Sequence, residues 1–232
     1  MNPSILEGTA VVLDTETTAA KETPERKIEV IELAYREVVS RDLYVQRYKP
    51  QMPPMWGALA VHGITMEELE RCPPSSDAPF HAPTSVPYWI GHNIDFDWRA
   101  LGSPQVRRIC TLALSRSLWP EMDSHTLTAM MYFIKGATPA TRAELRAAHS
   151  AEADIDFCET LLQTIMAVTK TRDLEALWEL SEESRIPKKM TFGKFAGQPV
   201  SAVDRGYANW YLKQPDADPY LLAAFRQHGL IR

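Results

Sequence analysis

Asp14 and Glu16 stand either side of a single threonine, at the end of the apolar run Thr9-Ala10-Val11-Val12-Leu13. A strand places residues i and i+2 on one face, so both carboxylates project together from its C-terminal end, where they can hold a divalent cation. Taken alone, an Asp-x-Glu after a strand is most often a polar turn. Two further constellations change that reading. In Tyr88-Trp89-Ile90-Gly91-His92-Asn93-Ile94-Asp95-Phe96-Asp97, the first three residues read as a short buried strand, Gly91-His92-Asn93 as a turn, and Phe96, Trp98 and Leu101 as anchors of a helix with acids near its start. In His149-Ser150-Ala151-Glu152-Ala153-Asp154 a second acidic helix begins, with Ser150 as its N-cap and Ile155, Cys158, Leu161, Leu162, Ile165 and Met166 as its buried stripe. On one ideal helix His149 and Asp154 would be rotated roughly 140° apart. His149 is therefore expected just before the helix, with Asp154 in its first turns. The residues alone leave Asp95 competing with Asp97, and Asp154 with Asp156.

The elements that must position these groups follow from periodicity. Strands are expected near residues 9 to 15, 29 to 38 and 42 to 49, the last two as an antiparallel pair, with shorter ones at 86 to 91 and 106 to 110. Helices are expected near 95 to 101, 111 to 118, 124 to 135 and 151 to 170. Another starts at Thr65, with Glu68 completing a capping box. Five prolines between Cys72 and Pro87 predict a loop. Three strands followed by alternating helix and strand predict an α/β fold, a mixed sheet flanked by helices. The domain expectation is a main domain over 1–172, a charged linker over 173–189, and a small module over 190–232. In that module Tyr207, Trp210, Tyr211 and Leu212 suggest an aromatic core. Phe192, Phe195 and Trp210 are read either as part of that core or, interleaved with lysines, as a base-stacking surface.

The order Asp-x-Glu, Asn-x-x-Phe-Asp and His-x-x-x-x-Asp resembles the DEDD exonucleases in their histidine-bearing (DEDDh) branch. The resemblance extends through Ala60-Val61-His62-Gly63-Ile64-Thr65, and through Cys110 to Pro120 and Thr191-Phe192-Gly193-Lys194-Phe195-Ala196-Gly197 it is nearest to the exonuclease X-like members. It implies a ribonuclease H-like fold and selects Asp97 and Asp154 over their neighbours. It further implies that Asp14, Glu16, Asp97 and Asp154 are metal ligands for two Mg²⁺, with Mn²⁺ able to substitute, and that His149 is the general base. Thr15, Thr17, Met55, Trp56, Leu59, His62, Asn93 and Phe96 are the residues it implies for substrate, although Met55, Trp56 and Leu59 read equally as core. One departure stands out. Where many relatives continue with glycine, this chain has Thr17-Thr18-Ala19-Ala20 and then a charged stretch from Lys21 to Lys27, which bears on the shape of the pocket for the terminal nucleotide.

The implied activity is 3′-5′ exonucleolytic hydrolysis of DNA, from single-stranded or duplex 3′ ends, releasing nucleoside 5′-monophosphates. An exoribonuclease of the same fold and a catalytically silent nucleic-acid-binding module are the alternatives. A net charge of −5 is unusual for a chain that handles phosphates. Bound cations would meet the phosphate instead, and the basic residues Lys188, Lys189, Lys194, Arg205 and Lys213 concentrate near the C-terminus. No apolar run approaches the ~20 residues of a membrane span. The first residues lack a basic, apolar leader, and Cys72, Cys110 and Cys158 form no zinc-knot pairing. A soluble, cytoplasmic protein with reduced thiols is the expectation.

Overall fold

A computed structural model describes residues 9–147 and 150–232. They divide into two compact units, one through Ser181 and one from Glu182. The first is built on five strands: β1 (Ala10–Thr17), β2 (Val30–Glu37), β3 (Leu43–Arg47), β4 (Tyr88–Gly91) and β5 (Arg107–Cys110). Their spatial order is β3-β2-β1-β4-β5. The first three are antiparallel, and β4 and β5 run parallel to β1. This is the expected mixed sheet.

Helices follow as α1 (Trp56–His62), α2 (Met66–Leu69), α3 (Ala78–His81), α4 (Ile94–Ala100), α5 (Thr111–Leu118), α6 (Leu127–Lys135), α7 (Pro139–Glu144), α8 (Ala151–Thr169) and α9 (Leu174–Arg185). At α2 the Glu68 carboxylate accepts the Thr65 N–H at 2.8 Å, as the capping box requires. The proline-rich stretch is a loop broken by a 3-10 turn over Ser75–Asp77 and by α3, whose second residue, Pro79, sits where a missing N–H does no harm.

The period-2 pattern of β1 distributes its side chains between two cores. Ala10 and Val12 face one side, where Ile155, Cys158, Leu161 and Leu162 of α8 cover them. Val11 and Leu13 face the other, with Ile94 and Leu101 from α4 and its end. This division decides from which side each acid reaches the end of β1.

The expected linker over 173–189 is instead largely helix. Asp173 accepts the Ala176 N–H at 2.8 Å as an N-cap, and Leu174 and Leu177 are buried in the same core as α8. The glutamates of this helix hid a short apolar stripe, Leu174 and Leu177, at i, i+3 spacing. The division falls at 181/182, so the second unit begins earlier than 190. That unit contains α10 (Arg205–Tyr211) and α11 (Pro219–Gln227), capped by Asp204 and Asp218. Its core is Met190, Val200, Val203, Ala208, Tyr211, Leu221, Ala224, Phe225 and Ile231. Phe192 and Trp210 are not part of it. Among the described residues no helix is long and apolar enough to cross a membrane.

Candidate active site

Asp14 and Glu16 continue the Ala10–Val12 row of β1, the row that α8 covers. Asp154 lies in the first turn of α8, so the packing that buries Ile155 and Cys158 also brings Asp154 to the end of β1. The result is a three-carboxylate cluster whose ligand oxygens all lie within 4.8 Å of one another. Ser150 begins the helix as expected, its hydroxyl accepting the Ala153 N–H at 3.3 Å.

Asp97 arrives from the opposite face. It is buried in α4, and its Oδ1 accepts both the Thr15 N–H at 3.0 Å and the Thr15 hydroxyl at 2.6 Å. Thr15 therefore orients an acid. The turn that delivers α4 depends on two backbone features. A Cβ on Gly91 would stand 2.9 Å from the Leu13 carbonyl and 2.8 Å from Ile94 Cδ1, so only glycine lets β4 turn this close to β1. Asn93 then adopts φ 72°, a left-handed conformation that asparagine tolerates better than most residues.

The geometry separates the competing acids. Asp95 forms an ion pair with Arg108, whose guanidinium stacks 3.9 Å from the centroid of Trp98. Asp156 is exposed and pairs with Arg36 at 2.5 Å. The structure brings Asp154 to Asp14 and Glu16, and holds Asp97 near Asp14.

Crowding acids at low hydration opposes their ionisation. Burial, then Asp97, Asp154 and Glu16, hold the Asp14 carboxyl well above its ordinary value. Burial followed by Asp154 and Glu32 lifts Glu16 to about 8. Asp97 rises to about 7 through burial, against the lowering effect of its bonds from Thr15. A site that resists ionisation this strongly suits a cation, which would stabilise the charged form that the protein alone penalises. The donor set is all carboxylate oxygen, as hard divalent ions prefer.

A stability prediction follows. A carboxyl with a raised folded-state pKa stabilises the fold below its unfolded value, and that contribution is lost as pH rises through the folded one. In chelator, the melting temperature should fall between about pH 5 and pH 8, by on the order of 10 °C if a few kcal/mol is lost. Mg²⁺ or Mn²⁺ should restore it, and more at pH 8 than at pH 5. Melting curves in chelator that rise steadily over this range, with no metal effect, would refute the coupled cluster.

A fifth acid takes part that the sequence reading missed. Glu32 lies opposite Glu16 in the β1–β2 ladder and is buried. One of its oxygens accepts the Arg47 Nε–H at 2.7 Å and the other the Ala151 N–H at 3.1 Å. It thus anchors the N-terminus of the helix that carries Asp154, where a negative charge also favours the helix dipole. The available signal was an acid inside the apolar strand Val30-Ile31-Glu32-Leu33-Ala34.

His149 lies outside the described residues. His92 is no substitute as a base: its Nε2 lies 2.8 Å from the His125 carbonyl, to which it can donate, and burial lowers its pKa to about 4.

The remaining candidates fall in two places. Met55, Trp56 and Leu59 line a cavity of about 480 Å³ with Arg26, Pro53, Pro54, Thr65 and Met66. Trp56 is 86% exposed and α1 buries no residue, so the core reading of this segment fails. His62 ends α1; its Nδ1 accepts the Ile64 N–H at 2.9 Å, and burial lowers its pKa. Phe96 lines a second cavity of about 400 Å³ with Lys21, Glu22 and Arg99. The charged stretch that replaces the family's glycine therefore forms one wall of that cavity. Thr17 is buried, its hydroxyl donating to the Ala19 carbonyl at 3.0 Å beside a register shift in the ladder, and Asn93 is exposed.

No protein-family model matches the chain. Exodeoxyribonuclease 10 of Escherichia coli K12 is 29% identical over 172 residues, covering 73% of this chain and 76% of that protein. Among solved structures, exonuclease X in complex with 5′ overhanging duplex DNA has a TM-score of 0.55 at 22% identity, covering 74% of this chain and 99% of that one. E. coli exonuclease I with a dT13 oligonucleotide has a TM-score of 0.53 at 21% identity, covering 78% of this chain and 45% of that one. The chain thus spans under half the length of exonuclease I, and at these identities the structures show a shared fold. In sequence this chain is similar to an E. coli exodeoxyribonuclease, and it shares the fold of exonucleases X and I.

Proposed function

We propose that the chain is a divalent-metal-dependent 3′-5′ exodeoxyribonuclease that releases nucleoside 5′-monophosphates. The carrying observation is the carboxylate cluster of Asp14, Glu16 and Asp154, joined from the other face of β1 by Asp97. Its similarity to an E. coli exodeoxyribonuclease and to nucleases solved with DNA supports the choice of substrate. The four acids would hold two Mg²⁺, or Mn²⁺ in their place. When bound, such ions polarise the phosphodiester and lower the pKa of a coordinated water.

The chain's own residues supply the rest. Thr15 fixes Asp97 through two hydrogen bonds, and Glu32 seats the start of α8, so the ligands are held in place before a cation enters. His149 accepts the proton of the attacking water. Met55, Trp56 and Leu59 offer apolar surface to the terminal bases, and Lys21 and Arg99 flank Phe96 with positive charge along the strand's path. Its three free thiols suit a cytoplasmic setting.

The direct test is degradation of matched DNA and RNA oligonucleotides labelled at the 5′ end, with Mg²⁺, Mn²⁺ or chelator. Stepwise shortening of DNA that chelator abolishes is the expected result. Equal or faster loss of RNA would move the substrate to ribonucleic acid. Binding without hydrolysis under every metal condition would leave a silent binding module.

A further inference from the structure

Phe192 and Trp210 expose 42% and 54% of their surface, although the C-terminal unit closes its core without them. Their rings belong to one row. Phe192 lies 5.6 Å from Tyr211, Tyr211 6.5 Å from Trp210, and Trp210 5.2 Å from Tyr207, centroid to centroid. The middle of the row is anchored: Tyr211 is buried, meets Phe225 edge-on at 6.0 Å, and accepts the Asp218 N–H on its hydroxyl at 2.9 Å. Two flat apolar faces are thus held open on a fixed base. Apolar surface that a core does not need marks a contact surface.

Charge identifies what it meets. Residues 182–232 carry eight Lys and Arg against five Asp and Glu, a net +3, which leaves −8 on the rest of a chain whose total is −5. Lys188, Lys189 and Lys213 are exposed and lie within four residues of Phe192 or Trp210 in sequence. Lys194, though exposed, is already paired, donating to Asp204 at 2.9 Å and lying 4.8 Å from the Phe195 centroid and 5.6 Å from that of Tyr207. A ligand that offers both flat faces and a run of negative charge is a nucleic-acid strand with unpaired bases. A duplex keeps those faces stacked inside, and an acidic peptide lacks the regular rings.

We propose that this surface binds single-stranded nucleic acid, with bases stacking on Phe192 and Trp210 and phosphates meeting Lys188, Lys189 and Lys213. The assignment deepens the exonuclease reading and rests on it for biological sense. Its test does not, because binding is measured in chelator, where no hydrolysis is expected.

The probe is a fluorescently labelled dT20 followed by anisotropy on the full chain. Phe192→Leu and Trp210→Leu keep apolar contact but remove the flat ring, and each should weaken binding roughly tenfold, whereas Trp210→Phe retains most of the affinity. Lys188→Ser with Lys213→Ser should make the slope of log affinity against log salt shallower by about 0.7 per lost contact. Leucine variants that melt at the wild-type temperature yet bind dT20 as tightly would overturn the proposal. So would a blunt hairpin duplex losing as much affinity as dT20. Should the leucine variants melt early, the lysine pair decides by itself, and an unchanged salt slope overturns the assignment. Failure of the exonuclease reading would look different: no hydrolysis with metal, while these binding differences persist.

Discussion

Asp97→Asn is expected to lower turnover by at least about three orders of magnitude while leaving the fold intact. An asparagine oxygen can still accept the Thr15 N–H and hydroxyl, so the bonds that seat α4 against β1 survive and only the charge is lost. Three orders correspond to about 4 kcal/mol of transition-state stabilisation, reasonable for a ligand in a paired-cation site that serves both nucleophile and leaving group. Asp14→Ala should lose as much. Both should raise the stability of the metal-free protein, because each relieves repulsion that now lifts Asp14 and Glu16 above their ordinary values. The controls are Asp95→Asn and Asp156→Asn, whose carboxylates serve Arg108 and Arg36. These should keep near-native turnover, since ion pairs of this partly exposed kind contribute about 1 kcal/mol or less. Steady-state kinetics at saturating metal, with melting curves alongside, measure all four. A well-folded Asp97→Asn or Asp14→Ala enzyme at wild-type turnover would refute the site, and a dead Asp95→Asn beside an active Asp97→Asn would shift its register.

His149→Ala should cost at least about 10²-fold in turnover and leave metal affinity unchanged. In the wild type the rate should rise with pH through deprotonation of the imidazole. Carboxyl titration would overlap this limb in metal-poor solution, with Asp97 at about 7 and Glu16 at about 8. The profile must therefore be taken at saturating metal, where cations displace those protons. Burial holds His92 neutral, against the raising effect of its bond to the His125 carbonyl, so it cannot supply the same limb. An unchanged rate and pH profile in His149→Ala would remove it from the mechanism.

Much of the carboxylate cluster was legible because its placement is local. Period-2 alternation put Asp14 and Glu16 on one face of β1, and the stripe of α8 fixed the phase of Asp154. The same local signals placed all five strands and the helices α2, α4, α5, α6 and α8. What the sequence could not reveal depends on contacts between distant segments. Asp97 and Asp95 differ by two residues on one short helix. Only the docking of α4 against β1 gives Asp97 to Thr15 and Asp95 to Arg108. Glu32 gains its role only because the ladder sets it opposite Glu16 and the helix brings the Ala151 N–H to it. In α9 the apolar stripe was too short to outweigh its charges, and burial of Leu174 and Leu177 against α8 made it part of the core. Trp56, Phe192 and Trp210 mark the opposite limit. Hydrophobicity alone assigns an aromatic ring to a core, and only the packed structure shows that the cores close without these three. The sequence by itself determined which acids share a strand face and which helix carries the last of them, because both follow from backbone periodicity. The tertiary structure decided which carboxylates converge, what holds them and which rings stay in solvent, because convergence and exposure are properties of packing between segments far apart in the chain.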